Sequence, residues 1–264
     1  MRITVFTSNQ PRHTSLIEQL ASIADDLFAV QECNTIAPGE VADFFGKSDV
    51  MRAYFSRVIA AEREVFGGAR FLPKNVRSIP IKMGDLNRLS MDQLGEALAS
   101  DLFVVFGASY IKGPLIDHLV ARRALNIHMG VSPYYRGSST NFWALYDRRP
   151  EYVGATIHLL SRGLDSGPIL FHALPKAEAI DAFALGMRAV KAAHVGLVER
   201  IKNGSIFDLP PIDQDKSREL RYTRNADFTD EVAKEYLARL LPPQQISQLL
   251  QQRRMDHFVR PFLM

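Results

Sequence analysis

Short apolar runs alternate with stretches of helical periodicity along most of this chain, the pattern of a sheet whose strands are covered on both faces by helices. Residues 3–6 predict a first strand, residues 15–24 a helix with Leu16, Ile17, Leu20 and Ile23 on one side, and residues 27–30 a second strand. Val50, Tyr54, Val58, Ala61 and Val65 recur at three- and four-residue steps, so a long helix is expected over residues 49–66, stopped by Gly67-Gly68. Residues 76–81 form a weaker strand, and Ser90-Met91-Asp92-Gln93 reads as a capping box opening a helix that carries Leu94 and Leu98.

The clearest buried strand is Leu102-Phe103-Val104-Val105-Phe106, because an unbroken apolar run needs cover on both sides. Pro114 opens a helix, and Ala124-Leu125-Asn126-Ile127-His128 gives the next strand. A short helix is expected over residues 140–146, a ribbon from residues 154–160 and 168–172, and a long helix over residues 181–202 closed by Asn203-Gly204. The alternation ends there. Pro210-Pro211 marks a boundary, followed by irregular chain and a helix from about Thr229, without a regular strand series. The expected fold is therefore α/β, a doubly wound, mostly parallel, Rossmann-like sheet over residues 1–204 with a small, mainly helical extension over residues 205–264.

Composition narrows the function classes. With 47% hydrophobic and 23% charged residues in 264, the chain can bury a full core. A net charge of +3 is too small to predict nucleic-acid binding, and the basic run Lys216, Arg218, Arg221 and Arg224 reads as a solvated or phosphate-friendly face. Cys33 is the only cysteine, which excludes an internal disulfide and a multi-cysteine metal site and suits a reducing cytoplasm. Neither a signal-peptide pattern nor a long apolar span is found, so a soluble, cytoplasmic protein without membrane attachment is expected. No G-x-G-x-x-G follows the first strand and no G-x-x-x-x-G-K-[ST] occurs, which argues against dinucleotide oxidoreductases and nucleotide hydrolases.

The chemistry concentrates in Asn126-Ile127-His128, Ser132-Pro133-Tyr134-Tyr135-Arg136-Gly137 and Gly163-Leu164-Asp165-Ser166-Gly167. Asn126 can donate an amide N–H to a developing oxyanion. His128, two residues on, shares its strand face and can accept a proton. Asp165 can orient the imidazole and offset the charge it gains. Taken singly, an N-x-H tripeptide occurs by chance and an Asp among glycines is usually a turn former. Placed at a strand's carboxyl end, the three together point to acyl transfer onto an amine.

Asn126-x-His128, Pro133-x-Tyr135-Arg136-Gly137, Gly154-x-Thr156-Ile157-His158 and Leu164-Asp165-Ser166-Gly167, in that order, resemble the core of the formyltransferases that use 10-formyltetrahydrofolate. That family includes glycinamide ribonucleotide transformylase, methionyl-tRNA formyltransferase and the sugar N-formyltransferases, and the resemblance covers about residues 1–203. It implies that Asn126, His128 and Asp165 form the catalytic triad. It also implies that the pterin of 10-formyltetrahydrofolate lies between Tyr110-Ile111-Lys112 and Arg162-Gly163-Leu164, and that no metal is required. Tyr110 and Ile111 could equally just cover the end of the sheet. The chain departs from the family at His128-Met129-Gly130-Val131-Ser132-Pro133, where many members read His-Pro-Ser-Leu-Leu-Pro, which puts the acceptor in question.

The residues after Gly204 lack the alternating strands of a β-barrel, which disfavours tRNA. Asn9, Gln10 and Arg12, ahead of a helix, could bind an anion or could be an ordinary polar turn. With Ser132, Tyr135, Arg136 and Gly137 as the acceptor wall, the resemblance points to a small-molecule acceptor, a nucleotide-linked amino sugar of O-antigen or surface-polysaccharide synthesis. Alternatives are another small amine, such as a phosphorylated metabolite or secondary-metabolite precursor, and a non-catalytic folate- or nucleotide-binding relative. The extension is assigned to homodimer contacts or to acceptor binding.

Overall fold

The computed structural model describes residues 1–33 and 46–264, and between them the backbone of Thr35–Ile36 and Glu40–Val41. The chain opens with β1 (Arg2–Ser8), α1 (Pro11–Ala21), β2 (Asp26–Cys33), the short pair β3 (Thr35–Ile36) and β4 (Glu40–Val41), α2 (Asp49–Phe66) and β5 (Val76–Lys82). Next come α3 (Met91–Leu94), β6 (Leu102–Phe106), α4 (Gly113–Ala121), β7 (Leu125–Met129), β8 (Tyr135–Gly137) and α5 (Thr140–Tyr146). β9 (Ala155–Leu159), β10 (Ile169–Leu174), α6 (Ala182–Lys202), α7 (Ser205–Asp208), β11 (Arg221–Thr223), α8 (Asp230–Ala238), α9 (Pro243–Gln251) and β12 (Phe262–Leu263) complete it.

Eight strands make one sheet in the order β12-β10-β9-β7-β6-β1-β2-β5. Strands β5, β2, β1, β6 and β7 run parallel, β9 is antiparallel to both β7 and β10, and β12 joins β10 in parallel. The period-two alternation of the apolar run shows directly in the packing. Leu102, Val104 and Phe106 enter the core under α1 and α6, while Phe103 and Val105 pack on the other face with Leu115, Ile116 and Leu119 of α4. Strand order reverses between β1 and β6, so the crevice beyond their carboxyl ends is the switch point of a doubly wound sheet.

Local signals set several boundaries. Helix α2 spans the expected residues, with the Ser48 side chain accepting from Met51 N–H and Gly67, at φ 77°, ending it. The Ser90/Gln93 capping box forms, but its helix stops after four residues, because the backbone turns at Gly95 (φ 38°) into a 3-10 segment; Leu94 and Leu98 do not share one α-helix. Helix α1 starts at Pro11, earlier than Ser15, since proline at the first position needs no hydrogen-bond acceptor.

The last sixty residues add three α-helices, the first a single turn, and two short strands. β11 pairs with β8, and β12 extends the main sheet at its β10 edge. Tyr236, Leu241, Ile246, Leu250 and Phe258 share an apolar cluster with Phe142, Trp143, Phe183 and Leu185. No helix among the described residues is long and apolar enough to cross a membrane.

His13, His172 and His194 are held neutral in the core. His172 donates from Nε2 to the Ser132 carbonyl and accepts at Nδ1 from Val259 N–H, while His194 packs against Phe66 and Phe106. Burial lowers the pKa values of His172 and His194 to about 4 and about 3. Below an unfolded value of about 6.5 the unfolded chain binds protons that the native state refuses, so stability present above pH 6.5 is lost as pH falls toward 4. At about 1.4 kcal/mol per pKa unit, His172 alone withdraws on the order of 3 kcal/mol. The thermal midpoint is therefore expected to drop steeply between pH 7 and pH 4.5, and His194→Leu to flatten the slope; a slope identical in both proteins would contradict this.

Candidate active site

Strand pairing builds the site. Asn126 and His128 lie two apart on β7, opposite His158 and Thr156 of β9, and the β9–β10 turn carries Asp165 back over them. Asp165 holds a φ of 44°, a left-handed backbone uncommon outside glycine. Gly167 must be glycine, because a Cβ would overlap the Leu159 carbonyl.

The three expected residues converge. His128 Nδ1 lies 3.2 Å from Asp165 Oδ2, which places the ring proton on Nδ1. His128 Nε2 is buried without a hydrogen-bond partner among the described residues, and the residue lines a cavity of about 440 Å³. Asn126 Nδ2 donates to Asp165 Oδ1 at 3.0 Å and to His158 Nε2 at 2.9 Å, while His158 Nδ1 donates to the Leu159 carbonyl at 2.8 Å. Burial works to raise the Asp165 pKa, but the neighbouring His128 ring, with a smaller contribution from His158, outweighs it and holds the carboxyl well below the usual range. The result is a fixed carboxylate, an imidazole with a free lone pair facing the cavity, and an amide beside it.

His158, which closes the Gly154-x-Thr156-Ile157-His158 motif, is the partner of Asn126. Its position could be read from the ribbon, since antiparallel pairing of β7 with β9 sets it directly across. Both N–H groups of Asn126 are thereby engaged, so one must be released before the amide can serve an oxyanion.

The cavity lies between the two expected loops. Tyr110, Ile111, Gly163 and Leu164 line it, and Tyr110 Oη donates across to the Arg162 carbonyl at 2.6 Å. Lys112 and Arg162 do not line it. The Lys112 N–H and the Tyr110 carbonyl are bound by Asn87, and the Arg162 side chain pairs with Asp117 at 2.9 Å. The opposite wall is Tyr54, Gly137, Ser139, Thr140, Asn141 and Phe142, of which only Gly137 was expected. Tyr54 arrives from α2 on an aromatic cluster with Phe142, Phe183, Phe228 and Tyr236, a long-range contact with no local signature.

The acceptor-side expectations need correction. Ser132 is fully buried with its N–H on Thr156 Oγ1, and Tyr135 is buried with its hydroxyl on Asp147, so neither faces the cavity. Arg136 is paired with Glu219 at 2.9 Å. Asn9, Gln10 and Arg12 lie in the β1–α1 turn and the first turn of α1, off the cavity wall. The Arg12 N–H and guanidinium both donate to the buried Glu62 carboxylate, so the anion at this helix end is the protein's own. Among the described residues no group of three or more His, Cys, Asp or Glu is placed to hold a metal ion.

The formyl transferase family pattern matches residues 73–201. Over 124 residues the chain is 33% identical to a methionyl-tRNA formyltransferase of Synechococcus sp. (strain JA-3-3Ab), covering 47% of this chain and 38% of that protein. The chain spans under half the length of the curated relatives it matches. Among solved structures it superposes on a 4-N formyltransferase from Francisella tularensis (TM-score 0.54, 18% identity, 89% of this chain and 86% of that one). It also superposes on the formyltransferase PseJ from Anoxybacillus kamchatkensis, solved with UDP-4,6-dideoxy-4-formamido-L-AltNAc and tetrahydrofolate (TM-score 0.51, 16% identity, 95% and 100%). At these identities the structures establish the shared fold, and within it residues 73–201 carry the formyl transferase pattern.

Proposed function

We propose that the protein transfers the formyl group of 10-formyltetrahydrofolate to the amine of a nucleotide-linked amino sugar. The observation that carries the chemistry is the His128 ring, protonated at Nδ1 by its bond to Asp165 and presenting an unpaired Nε2 at the cavity beside Asn126. The cavity fits a folate head group in size and lining, with Val105, Ile111, Ile116 and Leu164 supplying apolar contact.

Bound there, the folate supplies an activated formyl group. The acceptor amine attacks the formyl carbon, and His128 Nε2 takes the proton that leaves nitrogen, directly or through one water. Asp165 keeps the ring in its productive tautomer and offsets the charge it gains. Asn126 turns one N–H from its resting partners toward the oxyanion that develops on the formyl oxygen. As the bond to the folate nitrogen breaks, the proton held on His128 passes to that nitrogen, and the ring returns to its starting form.

The acceptor class is supported by proteins of this fold. PseJ, solved with a UDP-linked formamido sugar and tetrahydrofolate, aligns over the whole of its length. The segment after residue 204 is two longer helices with short strands, packed on the core. Incubation with 10-formyltetrahydrofolate and a panel of UDP- and dTDP-linked amino sugars is expected to release tetrahydrofolate and to add one formyl group to the acceptor by mass spectrometry. Absence of turnover across the panel would remove the sugar reading, and absence of folate binding would remove formyl transfer itself.

A further inference from the structure

The turn that carries Asp165 is held from outside by a residue far along the chain. After α7 the backbone runs antiparallel to the start of β10, exchanging hydrogen bonds between Ile212 and Ile169 in both directions. Two residues on, Gln214 reaches the turn, and its Nε2 donates to the carbonyls of Asp165 at 2.8 Å and Gly167 at 2.9 Å. Both of its N–H groups are used on this turn, and its buried Oε1 has no partner among the described residues. Asp165 sits in the left-handed region at φ 44°, a conformation that persists only where its surroundings enforce it.

We propose that Gln214 is a positioning residue that fixes the Asp165 turn, and through it the tautomer of His128, so that the segment after residue 204 contributes to turnover without touching substrate. The inference rests on the formyl-transfer reading. A side chain with two donors is required: both targets are carbonyl oxygens, so a carboxylate of the same length would repel them and an apolar one would leave them unpaired. Displacement of Asp165 frees His128 to protonate at Nε2, which blocks the lone pair that must accept the proton.

The test uses the full chain labelled with 15N-histidine, at a pH where the rings are neutral. His128 is identified by the resonances lost in His128→Ala. Wild-type His128 is expected to show the Nδ1–H pattern, and Gln214→Met and Gln214→Glu to shift it toward Nε2–H, with Glu shifting it further and the thermal midpoint of the volume-matched Met variant within a few degrees. With an acceptor from the panel above, kcat is expected to fall about tenfold to a hundredfold, while KM for the folate changes less than about twofold. An unchanged tautomer and kcat in both variants would overturn the proposal. So would a loss confined to thermal stability. A wild-type ring without the Nδ1–H pattern would overturn the triad reading and the inference with it.

Discussion

Replacing His128 with alanine is expected to lower turnover by about a hundredfold or more while the fold persists. Among the described residues the ring is the one imidazole whose unpartnered nitrogen meets the cavity; His158 has both nitrogens engaged. Its removal also strips Asp165 of the largest influence lowering its pKa. Burial then acts against a weaker remainder from His158, and the carboxyl rises toward the ordinary range. Two measurements check this, single-turnover formyl transfer and the carboxyl titration of Asp165 by NMR. A near-normal rate with an unaltered titration would show that the pair is ornamental to the chemistry.

Asn126→Ala carries the other large effect, and it has two parts. Loss of an oxyanion donor typically costs about a hundredfold to a thousandfold in rate. The same change also leaves His158 Nε2 and Asp165 Oδ1 without their donor, and a buried acceptor left unpaired costs roughly 1–3 kcal/mol. The variant should therefore be slow and less stable together, whereas His128→Ala should be chiefly slow. Asn126→Asp is expected to be worse than alanine, because it sets a second carboxylate against Asp165. Comparing kcat with the denaturant midpoint for the three variants separates the parts; an Asn126→Ala protein of full activity would dismiss the amide from the reaction.

Much of the architecture was legible because its causes are local. The uninterrupted run in β6, the Ser90/Gln93 box and the periodicity of α2 each report a nearby physical demand: cover, capping or one apolar face. The convergence of Asn126, His128 and Asp165 was legible for the same reason, as the first two share one strand face and the third sits in a glycine-flanked turn. What escaped depends on partners distant in sequence. Glu62 stands fifty positions from Arg12, and Gln214 forty-nine from Asp165, so no window of sequence pairs them. β11 and β12 are too short to show alternation and exist because β8 and β10 offer open edges. Tyr135 and Arg136 sat in a motif whose neighbours face the reaction, yet Asp147 and Glu219 claim their polar ends.

The carboxylate of Glu62 gives the amino-terminal end of α1 a tenant of its own. An incoming phosphate at that corner would meet like charge and an arginine already committed, so the corner repels the group that such helix ends ordinarily welcome. On the proposed reading, an acceptor's anionic tail is then expected at the flank built by Tyr54 and the residues around Ser139, which is where altered substrate preference should be sought by mutagenesis.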